Sequence, residues 1–268
     1  MASRREEFKL LRLIWPRWIG VAIAIFIALA ASPWLSAAGP TYISGPITTS
    51  TTWTPSRSPY IVTGDVTVVA GVTLTIQPGV EVRFNTTDDR SSGSYPTKPE
   101  LIIRGRLDAV GTETKPIVFT SNRIGPLGTD WGEIALRSSS NTIAWAEIRF
   151  ATYGVRLYGT GGTPVTNNLI TSCTFHRCGA ERVVPDGPPC AGGGADEVGG
   201  AIRGEYANYC TFSTLTILYC ERGIWLHNSD HNAIQSSSIH HMQQSAIRLS
   251  GDSDFNTLQG NTVFSIFS

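Results

Sequence analysis

The residues with the clearest chemical potential are Arg156, Arg203, Trp225 and Arg248, each of which follows an aliphatic residue: Val155, Ile202, Ile224 and Ile247. If these aliphatics point inward on successive strands, alternation sets Arg, Arg, Trp and Arg outward in one column. Like charges stacked across neighbouring strands are unfavourable unless a counter-charge or an anionic partner offsets them. An indole in the column offers a flat face to a sugar ring or to a neighbouring guanidinium. There are two readings. Carboxylates such as Glu205 and Glu221 neutralise the arginines and leave a solvated face, or the column is a strip that takes anions. The acid/base candidates beside it are Glu205, His227 and Asp196.

Metal and thiol chemistry has less support. Asp230, Asp252 and Asp254 occupy successive turns and are the candidates for a calcium ion, although Ser-Asp and Gly-Asp are also ordinary turn pairs. His176, His227, His231, His240, His241 and Met242 are copper-compatible by type, yet alternation sends them to different faces. Of five cysteines, Cys178 and Cys190 bracket a long insertion and could pin it as a disulfide. Cys178 also shares a column with Cys220, and no Cys-x-x-Cys pair supports zinc.

A repeat positions these residues. Apolar pairs five apart recur at Ile143/Ile148, Ile170/Phe175, Phe212/Ile217, Ile234/Ile239 and Leu258/Val263. Two residues before each pair stand Asn141, Asn168, Cys210, Asn232 and Asn256. At a strand spacing of about 4.8 Å such amides can donate and accept along the column, which predicts a structural asparagine ladder. A repeat of about two dozen residues built from short strands predicts an all-β solenoid of about seven coils. Two insertions, Tyr158 to Asn167 and Arg177 to Gly200, break the coil length on either side of the Arg column. Loops of this kind commonly line a repeat protein's binding face.

Earlier in the chain, Tyr60–Val68 and Gly71–Phe84 alternate strictly, with Ala-Gly and Pro-Gly between strands, and Leu101–Leu107 and Pro116–Thr120 continue the pattern. The run Gly71-Val-Thr-Leu-Thr-Ile-Gln-Pro-Gly-Val80, followed by Pro116-Ile-Val-Phe-Thr120, resembles the N-terminal coils of secreted right-handed parallel β-helix proteins. The C-terminal Asn-x-Ile repeats resemble the pectin-lyase-like superfamily, in particular the branch shared with NosD-type periplasmic proteins. The resemblance implies a single-stranded right-handed parallel β-helix over 59–268, with the substrate groove along the Arg face. It implies a protein that binds, and in some members cleaves, polysaccharide or cell-surface glycan as a lyase or hydrolase. Its other branches imply a non-enzymatic adhesive module or a NosD-like accessory to a metal centre. Neither the calcium-ligand set of the lyases nor an Asp pair on a coil strand is present, so no catalytic residue carries over and no cofactor beyond calcium is implied.

Arg4, Arg5, Lys9, Arg12 and Arg17, then the apolar run Ile19 to Ala31 and Ser36-Ala37-Ala38, read as a secretory signal helix, or as a retained membrane anchor flanked by tryptophans, over 1–38. Either exports the rest of the chain to the periplasm, the surface or the medium, and limits membrane contact to that segment. Residues 39–58 read as a linker or an entry cap leading into the coils. Lys+Arg and Asp+Glu are both 21, which removes any bulk electrostatic case for nucleic acid. The spacing predicts a further strand near position 270, so the coils are expected to continue past Ser268.

Overall fold

The computed structural model describes residues 39–179 and 199–266. The segment 1–38, expected to be a signal or anchor, lies outside the described residues, as do Asp196 and Cys190. Apart from one 3-10 turn, Pro55–Arg57, every regular element among the described residues is a β-strand, and strand pairing from coil to coil is parallel. The chain winds in one direction because each strand is short and each corner is sharp.

Three faces result. Face A carries Tyr60–Val68, Leu101–Ile103, Ile134–Leu136, Tyr153–Tyr158, Gly200–Glu205, Ile224–His227 and Ile247–Ser250. Face B runs from Thr51–Trp53 to Thr257–Gln259 in eight strands. Face C runs from Glu81–Phe84 to Thr262–Ile266. Faces A and C join at Tyr60–Val68, whose first half pairs with Glu81–Phe84 and second half with Leu101–Ile103.

The apolar pairs spaced by five become adjacent columns on faces B and C. Ile143, Ile170, Phe212, Ile234 and Leu258 stack on one. Ile148, Phe175, Ile217, Ile239 and Val263 stack on the other. Face A contributes Val66, Leu101, Ile134, Val155, Ile202, Ile224 and Ile247. As far as Ile234, Ile239 and Ile224 all three columns enter one core, with Ile247 packed against it, whereas Leu258 and Val263 are exposed.

Within 39–58 two strands join this stack, as an entry segment would. Thr41–Ile47 pairs with Tyr60–Val68, Thr51–Trp53 pairs with Thr73–Ile76, and Trp53 is buried against Tyr60 with ring centroids 4.8 Å apart. Their apolar residues are spaced for one inward face, which the Pro/Ser/Thr-rich composition conceals.

In five coils the corner between faces A and B ends on a left-handed residue directly before the amide column: Ser140, Asn167, Tyr209, His231 and Phe255, with φ between 55° and 61°. Such a residue is strained unless its surroundings hold it. The amide column that follows does so. Asn141 Nδ2 donates to Asn168 Oδ1 at 2.9 Å, and Asn232 Nδ2 donates to Asn256 Oδ1 at 3.0 Å. Asn141 Oδ1 accepts from Leu107 N and Asn232 Oδ1 accepts from Cys210 N, each at 2.8 Å. Where Cys210 replaces an amide, Asn168 Nδ2 meets its sulfur at 3.9 Å. Asn232→Ala would orphan Cys210 N–H and Ala207 C=O, both buried partners at 2.8 Å. Leaving a buried polar group unpaired costs about 1–3 kcal/mol, so the urea midpoint of Asn232→Ala should fall accordingly, whereas Thr257→Ala on the exposed surface should leave it unchanged.

Candidate functional site

Face A carries the concentration of ionisable side chains, in columns set by the coil register. Arg156, Arg203, Trp225 and Arg248 are paired strand to strand in one outward column. Tyr158, Glu205, His227 and Ser250 form the next. Trp225 is outward on its strand but only 7% exposed. The Arg203 guanidinium lies 4.4 Å above its ring and that of Arg248 4.8 Å away, and Trp225 Nε1 donates to Ser250 Oγ at 2.8 Å. Trp225 is therefore no free platform for a sugar. One coil spacing is also a stacking distance, so the arginines above and below take both faces of the ring.

Glu205 is an ion-pair partner and not a free acid. Its carboxylate binds Arg203 directly and lies 3.5 Å from Arg156. Arg156 also lies 4.4 Å from the ring of Tyr158, with Arg137 4.1 Å from the same ring. A chain of cations and aromatic rings thus runs up face A, through Arg137, Tyr158, Arg156, Arg203, Trp225 and Arg248. His227 sits beside it with Nδ1 3.1 Å from Ser250 Oγ.

A second group escapes the sequence reading. Asp65, Glu100 and Glu133 immediately precede Val66, Leu101 and Ile134, which stack in register. The three acids therefore occupy adjacent coils, and all three are buried. The Tyr158 hydroxyl donates to Glu133 Oε1. Tyr95 N donates to Glu100 Oε2 at 3.0 Å. Burial pushes Glu133 up to about 7, against the opposing pull of the Tyr158 hydrogen bond and of Arg156, Arg137 and Arg203. Burial, and then the charge of Glu133, pushes Glu100 up to about 8. Burial also raises Asp65 and moves the Tyr95 and Tyr158 phenols well above their ordinary range. Glu133, a carboxyl that holds its proton near neutrality beside three arginines, can act as a proton donor or as a hydrogen-bond donor to an anion. The signal lay in a pattern, acid–aliphatic–x–aliphatic, at Asp65–Val68, Glu100–Ile103 and Glu133–Leu136. The downstream coils replace the acid with Gly154, Ala201, Gly223 and Ala246, which hides it.

The remaining candidates do not converge. Asp230 and Asp254 stack turn on turn, but Asp230 Oδ1 accepts Asp254 N at 2.8 Å and Asp252 N donates to Asn228. Among the described residues no group of three His, Cys, Asp or Glu could hold a metal ion. His231 is stacked between Tyr209 and Phe255, and His176 packs edge-on to Phe150 and Tyr219. Burial lowers His176 to about 4. His240 and His241 meet each other, but Met242 is buried in the core. Cys178 is a buried free thiol directed at Ile148 C=O, and Cys190, its expected disulfide partner, lies outside the described residues. Cys178 lies inward just after the strand Thr174–His176, next to Cys220, whose sulfur accepts Cys178 N.

The acid pair gives a pH prediction. Glu100 and Glu133 keep their protons to higher pH in the folded protein than in the unfolded chain. Their contribution is full below the ordinary carboxylate range and is lost as pH rises through about 7 and about 8. Thermal unfolding followed from about pH 5 to about pH 9 should show a falling Tm, and Glu133→Gln should flatten that slope.

The family model for a right handed beta helix region matches residues 117–268, and that for a pectate-lyase like beta helix domain matches residues 45–162. No curated protein and no solved structure matches the chain. The matches speak to the coil architecture and not to the NosD-type branch. With more than half its length matched and its parallel three-faced coils, the chain belongs to the right-handed β-helix family.

Proposed function

We propose that this protein binds an anionic polysaccharide along face A. The observation that carries the reading is the cation excess of the strip. Arg156, Arg203 and Arg248 share one column, Arg137 lies beside it over the Tyr158 ring, and the carboxylate ion-paired within the strip is Glu205. An extended polyanion meets such a line with one charge after another, so the arginines act together while each keeps its stacking partner. The aromatic rings hold the guanidiniums in place, which lowers the entropy lost when an anion docks. The pectate-lyase-like match over 45–162 supports a polysaccharide as the partner. The basic and apolar segment before Ala38 supports action outside the cytoplasm.

The polymer to test is polygalacturonate. Arg203→Ala combined with Arg248→Ala should weaken its binding at low salt by about tenfold and reduce the salt dependence of what remains. Retention equal to that of the unaltered protein would sink the reading. Absorbance of unsaturated uronide in the same mixtures separates binding from cleavage by elimination: a steady rise identifies a lyase, and a flat trace identifies a binder.

A further inference from the structure

The strip ends, on its N-terminal side, beneath the loop 85–99. This loop rests on the buried acids through its backbone. Ser92 donates its N–H and its hydroxyl to Asp65 Oδ2, at 2.7 and 2.8 Å. Tyr95 N–H reaches Glu100. Ser94 Oγ lies 3.0 Å from the Tyr158 hydroxyl and accepts Arg137 Nη2 at 3.0 Å. The approach is so close that a Cβ on Gly93 would lie 1.6 Å from Glu100 Oε2. Lys98 holds the far end to Thr152 at 3.3 Å.

Among the acids and along the adjoining strip, six polar atoms are buried with no partner among the described residues: Glu100 Oε1, Glu133 Oε2, Tyr153 Oη, and the Nε of Arg137, Arg156 and Arg203. A cluster of unmet groups of this size is costly. It is also chemically mixed. Carboxylate oxygens call for donors, and guanidinium N–H groups call for acceptors. A sugar residue bearing a carboxylate supplies both, its hydroxyls facing the acids and its carboxylate facing the arginines.

We propose that loop 85–99 is a lid over a subsite for one anionic sugar residue, closed while Glu100 and Glu133 are protonated and opened as both ionise. For its ligand the subsite rests on the polysaccharide reading above; the lid does not. The groups that face Glu133 are Glu100, Tyr95, Tyr158 and the guanidiniums of Arg137, Arg156 and Arg203. Those that face Glu100 are Glu133, Asp65 and the Tyr95 N–H. The arginines can balance Glu133 once it is charged. Glu100 then sits between two other carboxylates, with one oxygen unmet, and water must reach it. Water enters only if the loop lifts. Both protons leave near neutral pH, the lower at about 7 and the higher at about 8.

Hydrogen exchange of segment 85–99, corrected for the intrinsic pH dependence, is the test of the lid. Between about pH 6 and about pH 9 it should accelerate at least about tenfold, while the core strands of face B stay protected. In Glu100→Gln combined with Glu133→Gln the acceleration should vanish, because the neutral amides cannot ionise. Exchange in the unaltered protein that does not change with pH overturns the lid whether or not the double variant folds. Polygalacturonate affinity tests the subsite: it should rise over the same pH interval and stay flat in the double variant. A lid that opens without any gain in affinity overturns the subsite. Failure of the strip itself is distinct, since Arg203→Ala with Arg248→Ala would then bind like the unaltered protein at every pH.

Discussion

The vertical repeat of parallel strands, about 4.8 Å from coil to coil, is the constraint on which the other features of this molecule depend. It brings each residue onto its counterpart one coil away, so side chains interact by column and not by sequence neighbourhood. The separation suits amide-to-amide hydrogen bonding, aromatic stacking and guanidinium-on-ring contact. It is also close enough for like charges to repel strongly. Each column must therefore be filled with residues that tolerate their own kind, or alternate with partners that do.

The columns solve that problem differently. At the corner between faces A and B, Asn satisfies Asn, and the left-handed residues before it are held in place by the result. On the outer surface of face A, arginine is separated from arginine by Trp225, or neutralised by Glu205. In the column of Asp65, Glu100 and Glu133 neither device is present. Burial and mutual repulsion there raise the carboxyls, and the loop 85–99 lends its backbone N–H groups to hold them. The acid column holds buried carboxyl oxygens without a partner, and it adjoins the cationic strip.

This adjacency joins structure to function. Tyr158 contacts both groups, donating to Glu133 while its ring supports Arg137 and Arg156. A change in the protonation of Glu133 is thereby felt by the arginines at the N-terminal end of the strip. The opposite end, around Arg248, is exposed and lies far from the acids along the coil stack.

Much of the fold was legible in the amino-acid order because a solenoid repeats its own interior. The five-residue spacing of Ile143/Ile148 and its successors, and the Asn residues two places before, set the register of faces B and C and the ladder at the corner. The outward column of Arg156, Arg203, Trp225 and Arg248 came from alternation alone. What alternation could not reveal was occupancy. Trp225 reads as an open platform until the guanidiniums above and below it are in place, and Glu205 reads as an acid until Arg203 reaches it. Cys178 reads as a neighbour of the long insertion, and only the closed coils set it inward beside Cys220. Glu100 and Glu133 lie 33 positions apart, across an irregular loop, and became neighbours only when the coils closed. Local order decides which way a side chain points. Only the closed coil decides what it points at, because that partner belongs to another turn of the chain.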